Sequence, residues 1–181
     1  MRHAMSAVER GVASRLWGIT DTAREDCVLL AHHLPEQLHG RVFSSEEPKA
    51  RQTAEVIALR LGLEVVVDGR FGEVDRPTLW DEDYRATAAR YLATGEGDGW
   101  EPREAVVRRF GAAIAEALEG ATGDLVIVDH GLALSLYLAS VAAIDIVPFW
   151  RALTFPDAWR WDPETGSLAR VFEAGHAPPD A

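Results

Sequence analysis

Gly123-Asp124-Leu125-Val126-Ile127-Val128-Asp129-His130-Gly131 is the stretch on which the fold turns. Leu125 to Val128 is apolar at every position, so neither face is left for solvent, which is how a central parallel strand covered on both sides reads. A helix is predicted to follow from about Leu132 to Ala143. A strand ending at a helix N-terminus sets free N–H groups and the helix dipole where they favour an anion.

Working outward, strand and helix patterns alternate. Arg41-Val42-Phe43-Ser44 reads as a short strand after a break at Gly40, and Pro48 suits the first position of the next helix. Ala50, Thr53, Ala54, Ile57 and Leu61 form that helix's stripe, closed by Gly62, and Leu63 to Val67 is the next strand. Upstream, residues 4 to 19 read as a loop with one short helical turn. Thr20-Asp21-Thr22 supplies N-cap chemistry, with Glu25 as capping-box partner, and Cys27, Leu30, Ala31 and Leu34 make one stripe. His32 and His33 read as solvated residues at that helix's end.

Downstream, residues 79 to 93 are helical in pattern but rich in Trp, Tyr and charge, and 94 to 99 is a loop. Pro102 opens a helix expected to bury Val107, Phe110, Ile114 and Leu118. Residues 158–161 and 167–172, around Asp162-Pro163-Glu164-Thr165-Gly166, predict an antiparallel hairpin, and the tail from Ala174 reads as frayed. Strands alternating with helices predict an α/β fold, a three-layer α/β/α sandwich with a mostly parallel central sheet.

The 181 residues, 48% hydrophobic and 26% charged, fit one domain over 1–181 with a full core. No apolar run approaches the ~20 residues of a membrane span. The N-terminus lacks a basic-then-apolar signal pattern, so a cytoplasmic protein with no membrane partner is expected. A single cysteine, Cys27, agrees with a reducing compartment. A net charge of -11 disfavours nucleic acid. A phosphate ester would need a few cations focused in a cleft.

In open α/β sheets ligands bind beyond the carboxyl ends of the strands. Ser44-Ser45, Glu73 and His130-Gly131 all fall there. By the same rule His3, in Met1-Arg2-His3-Ala4, belongs at the end of a first strand, although only Met1 and Arg2 precede it. The first strand is therefore expected to be truncated. Either the start lies upstream or the chain runs with a stub, and a longer form should be more stable and at least as active.

Together these residues resemble the histidine phosphatase superfamily, the phosphoglycerate-mutase-like group. Arg2-His3-Ala4 resembles its RHG motif, and Ser45 through Ala54 resembles S-x-x-x-R-A-x-x-T-A. Glu73 resembles the acidic residue of the following loop, and His130-Gly131 the second histidine motif. Thr20 to Cys27 resembles a weakened L-T-x-x-G-x-x-Q-A. The motifs run in family order from residue 2 to about 172.

The resemblance implies a phosphomonoester hydrolase that needs no metal or cofactor. His3 would attack phosphorus as a neutral imidazole and become a phosphohistidine. Arg2, Lys49, His130 and Gly131 would hold the phosphate, and Glu73 would protonate the leaving alkoxide and then activate water. Asp75 is a rival for that acid.

Some positions depart from the pattern. Lys49 stands where the family has a second arginine, keeping the charge but losing the bidentate fork, and Arg51 does not share its helix face. Ala4 replaces a glycine. Glu9 stands where an asparagine is often found, and its charge would disfavour a second phosphate and hence a mutase. These departures motivate two alternatives, a phosphate-binding member with weak or no turnover and, third, a phosphoglycerate-type mutase. The expected partner is a small phosphorylated substrate or a phosphohistidine protein. Residues 77–100 would cap the pocket, with Trp80, Tyr84 and Arg85 lining it or packing the cap. A homodimer through an exposed strand or the Trp-rich hairpin is left open.

Overall fold

The computed structural model describes residues 1–35, 38–77 and 84–175. Among them a parallel sheet runs in the order β2 (Glu64–Val67), β1 (Leu38–Ser44), β3 (Asp124–Val128). Parallel neighbours need long crossovers. Helix α2 (Pro48–Leu61) makes the first, and α3 (Tyr84–Thr94) with α4 (Arg103–Leu118) the second. Helix α1 (Asp21–Ala31) precedes β1. After β3 come α5 (Gly131–Val141), α6 (Ile146–Ala152) and the antiparallel pair β4 (Asp157–Trp161) and β5 (Leu168–Glu173).

Where the sequence predicts a truncated first strand, Met1-Arg2-His3 lies beside the end of β3 through an isolated bridge at Arg2 and is not a strand of its own. His3 N donates to Asp129 O at 2.9 Å, Asp129 N to Met1 O at 2.9 Å, and Arg2 N to Asp157 O at 2.8 Å. Arg2 is thus bridged in parallel to the end of β3 and antiparallel to β4, joining the two sheets.

Alternation along the strands builds two cores. Val42, Val126 and Val128 pack with Ala23, Cys27, Leu30, Ala54 and Ile57 of α1 and α2. Phe43, Val66, Leu125 and Ile127 pack on the other face with Phe110, Ile114, Leu132 and Leu136 of α4 and α5. Side chains of opposite parity therefore feed opposite helix layers, and the three-layer α/β architecture follows. Helix α5 is buried at every position from Gly131 to Leu138, so its sequence shows no polar face.

Several local expectations change. Thr20 caps α1 by accepting the Ala23 N–H at 3.2 Å, which makes Ala23 the third helical residue and removes Glu25 from the capping box. Helix α4 buries Val106, Phe110, Ala113, Ile114 and Ala117 and exposes Leu118, a stripe turned from the predicted one because small alanines carry part of it. Gly40 lies inside β1, where pairing to β3 shifts register between Leu38 and Val42; the break is an irregularity and not a strand end. Helix α5 stops at Val141, and α6 occupies a stretch to which the sequence assigned no element, with Pro148 in its first turn where the missing N–H costs little. Of the helix predicted over residues 79–93, the described part is α3; residues 79–83, including Trp80, and the tail beyond 175 lie outside the described residues. No helix among the described residues is long and apolar enough to cross a membrane.

Candidate active site

His3 is 5% exposed at the end of the stub. Its Nδ1 lies 2.7 Å from Ala4 O; a carbonyl only accepts, so Nδ1 carries the proton and neutral His3 presents a bare Nε2. Burial holds the imidazole well below the ordinary histidine value, and the charges of His130, Lys49 and Arg2 push the same way. The ring is neutral near pH 7, as a nucleophile must be. Thr53 Oγ1 accepts the Ala4 N–H at 3.0 Å and donates to Lys49 O at 2.8 Å, tying this segment to α2.

His130, two residues beyond β3, occupies the N-cap position of α5 on an extended backbone, with its ring centroid 5.1 Å from that of His3. Its Nε2 lies 2.7 Å from Ser45 Oγ and 3.4 Å from Glu47 Oε1, while Nδ1 is buried without a protein partner. Burial, then the charges of Lys49 and Arg2, hold this imidazole below its ordinary value as well. The buried Lys49 donates from Nζ to Ser14 O and Glu47 Oε2, both at 2.7 Å.

Arg2 lays its guanidinium over the Phe155 ring, 3.4 Å from the centroid, and donates from Nη1 to Leu153 O at 3.0 Å. Burial lowers its pKa to about 10, which leaves it charged at neutral pH, and Nε is buried with no partner. Gly131 makes room for it, since a Cβ there would lie 3.2 Å from both Arg2 Cζ and Nε.

Glu73 follows a 3-10 turn, Gly69–Phe71, and reaches the start of α5. Its Oε1 accepts N–H groups from Ala133 at 2.9 Å and Val74 at 3.0 Å, and its Oε2 accepts from Leu132 at 3.2 Å. The first free N–H groups of α5, those of Leu132 and Ala133, are thus taken by the Glu73 carboxyl group. Arg109 of α4 fixes the Glu73 loop by donating to the carbonyls of Arg70, Gly72 and Glu73 while its fork grips Glu101.

A cavity of about 1100 Å³ opens over these groups, lined by Arg2, His3, Lys49, Glu47, Glu73 and Gly131, with Trp17, Arg76, Tyr84 and Trp100 completing its wall. The family profile described as histidine phosphatase superfamily (branch 1) matches residues 1–159. The chain belongs to the histidine phosphatase superfamily. Proteins named "Probable phosphoglycerate mutase GpmB" are similar to it. The one from Serratia proteamaculans is 26% identical over 156 residues, covering 75% of this chain and 71% of its own. That from Klebsiella pneumoniae is 29% identical over 114 residues, 57% of this chain and 53% of the relative, and other GpmB matches likewise span about half of the relative's length. Among solved structures, the mycobacterial glucosyl-3-phosphoglycerate phosphatase Rv2419c matches with a TM-score of 0.66 at 22% identity over 97% of both chains. Bacillus stearothermophilus YhfR matches with a TM-score of 0.69 at 19% identity, over 99% of this chain and 96% of that one. At such identities the structural likeness speaks for the fold.

Within this superfamily member the sequence-predicted residues Arg2, His3, Lys49, Glu73, His130 and Gly131 converge on one cavity end, though His130 is not itself among the lining residues. Asp75, the rival acid, is exposed on the cavity wall, with its main chain paired to Glu101. Tyr84 lines the cavity and Arg85 does not, although the charge of Arg85 reaches Arg2. Glu9 is exposed and lines nothing here, so its charge no longer argues against a second phosphate. The sequence reading missed Glu47 and Arg109. A glutamate before a helix-start proline reads as a solvated residue, and nothing local marks an arginine whose carbonyl partners around Glu73 lie more than 30 residues upstream.

Proposed function

We propose that the chain is a phosphomonoester hydrolase working through a phosphohistidine on His3. The observation that carries this reading is the ring itself: a buried, neutral imidazole whose Nδ1–H is committed to Ala4 O, so that Nε2 is the free lone pair in a cavity holding Arg2 and Lys49. In the proposed reaction Nε2 forms a bond to phosphorus as the bond to the leaving alkoxide breaks, and the alkoxide takes a proton from Glu73, which enters this step as the carboxylic acid and leaves it as the carboxylate. Water then attacks phosphorus, gives its proton to Glu73 and frees the imidazole. The Nδ1–H bond to Ala4 O persists throughout and supports the positive charge of the phosphorylated ring. Arg2, Lys49 and His130 would offset the charge on the transferring group.

Steady phosphate release from p-nitrophenyl phosphate, abolished in His3→Ala, is the expected result, with an acid-labile phosphoenzyme trapped from the wild type. Absence of both turnover and phosphoenzyme would remove the proposal. A second reading, phosphate binding without turnover, is favoured by Glu73, whose two oxygens are both engaged by backbone N–H groups. Ligand-dependent thermal stabilisation without hydrolysis would select it. The names of the GpmB relatives keep a mutase as a third reading, which a glycerate-phosphate isomerisation assay would detect. The substrate is taken to be a small phosphate ester, with a phosphohistidine protein as a special case; phosphate release from a panel of sugar, nucleotide and glycerate phosphates would choose among them.

A further inference from the structure

We infer that the Glu47 carboxylate is an internal anion of the site, holding the groups that a substrate phosphate needs, so that phosphate binds only by displacing it. The inference rests on the reading of Lys49 and His130 as phosphate holders. Glu47 Oε2 lies 2.7 Å from Lys49 Nζ, and Oε1 lies 3.4 Å from His130 Nε2 while accepting the Glu73 N–H at 3.2 Å. One carboxylate thus bridges a cation, an imidazole and a backbone amide, the mixed set of partners that two phosphate oxygens would take.

Two further observations support displacement. Glu47 lines the cavity whereas His130 is 1% exposed and does not, so the carboxylate lies between the cavity and the imidazole nitrogen it touches. Its side chain is 14% exposed, which leaves it a way out toward solvent. Nor does anything lock it into its helix, since as the residue ahead of Pro48 it makes no side-chain cap bond. Lys49 has Ser14 O as its other partner, so among the described residues Glu47 alone offsets that buried charge. An arriving phosphate dianion brings more charge to Lys49 than Glu47 does, and like charge then drives the carboxylate away. The same competition, run backwards, helps inorganic phosphate leave.

The opposite role, in which Glu47 merely positions Lys49 for substrate, predicts the opposite sign, so one measurement separates the two. Dissociation constants of inorganic phosphate and orthovanadate are measured by calorimetry on the wild type, Glu47→Gln and Glu47→Ala, each checked for folding by its thermal melt. Displacement predicts that phosphate binds about tenfold tighter to Glu47→Gln than to the wild type, a change of about 1.4 kcal/mol. It predicts tightening in Glu47→Ala as well. Unchanged or weaker binding in both folded variants overturns the proposal. A wild type that binds neither anion overturns it together with the phosphate-site reading. Binding without turnover removes the hydrolase reading alone and leaves the comparison of variants decisive.

Discussion

Gly131 lacks a side chain at the place where Arg2 stands. A Cβ would sit 3.2 Å from Arg2 Cζ and Nε, and the guanidinium has little freedom to retreat because it lies on Phe155 and donates to Leu153 O. Gly131→Ala should therefore displace Arg2 by a few tenths of an ångström and lower kcat/KM for a phosphomonoester by about tenfold or more, since small misplacements in such sites are costly. Steady-state kinetics beside a thermal melt checks this; unchanged kcat/KM would refute it. The residue itself was legible as the partner of His130 in a motif. Its reason was not, because the atom it avoids belongs to a residue at the other end of the chain. His3 and Lys49 were likewise visible as types, whereas the Nδ1 bond that assigns the imidazole proton and the Glu47 contact appear only in three dimensions.

Among the elements, α5 and α2 carry the site, and each is held by a side chain with a second duty. Glu73 caps α5 from outside, through the N–H groups of Leu132 and Ala133. Loss of a cap costs about 1 kcal/mol, so Glu73→Ala should lower Tm by about 3 °C besides impairing turnover. An unaltered melt would refute the capping role while leaving the acid role open to kinetics. Thr53, fully buried on α2, serves both Ala4 N and Lys49 O. Thr53→Val leaves the Ala4 N–H buried without a partner and should cost about 1–3 kcal/mol in denaturant unfolding. The apolar stripes of α1 and α2 were readable from their period, although α1 ends at Ala31 before the predicted Leu34. The apolar run of β3 marked a covered parallel strand but not its place, since among the described residues β1 is central and β3 has only the Arg2 bridge on its outer edge. Helix α4 was misphased since alanines at 113 and 117 bury without announcing themselves, and α6 is too short and too proline-bearing for a period to show.

For the whole molecule, stability near neutral pH should depend on the two buried histidines. Both are held well below the ordinary value, to which the unfolded chain returns them, about 6.5. Below that pH the unfolded chain binds more protons than the folded one, so stability falls as pH falls, by up to about 1.4 kcal/mol per unit for each ring. Asp129 acts the other way: burial raises its carboxyl to about 7, so its share of stability is lost as pH rises from the unfolded value toward 7. His3→Asn should therefore show a shallower loss of Tm than the wild type on going from pH 6.5 to 5; parallel profiles would refute the assignment. The three-layer plan was legible from alternating patterns, but the union of its two sheets was not, because it passes through the backbone of Arg2. That union puts grip and frame in series. The residue whose side chain would clasp the phosphate also bridges the parallel strands and the β4–β5 ribbon through its backbone, so a shift of the ribbon is passed directly to the reacting group.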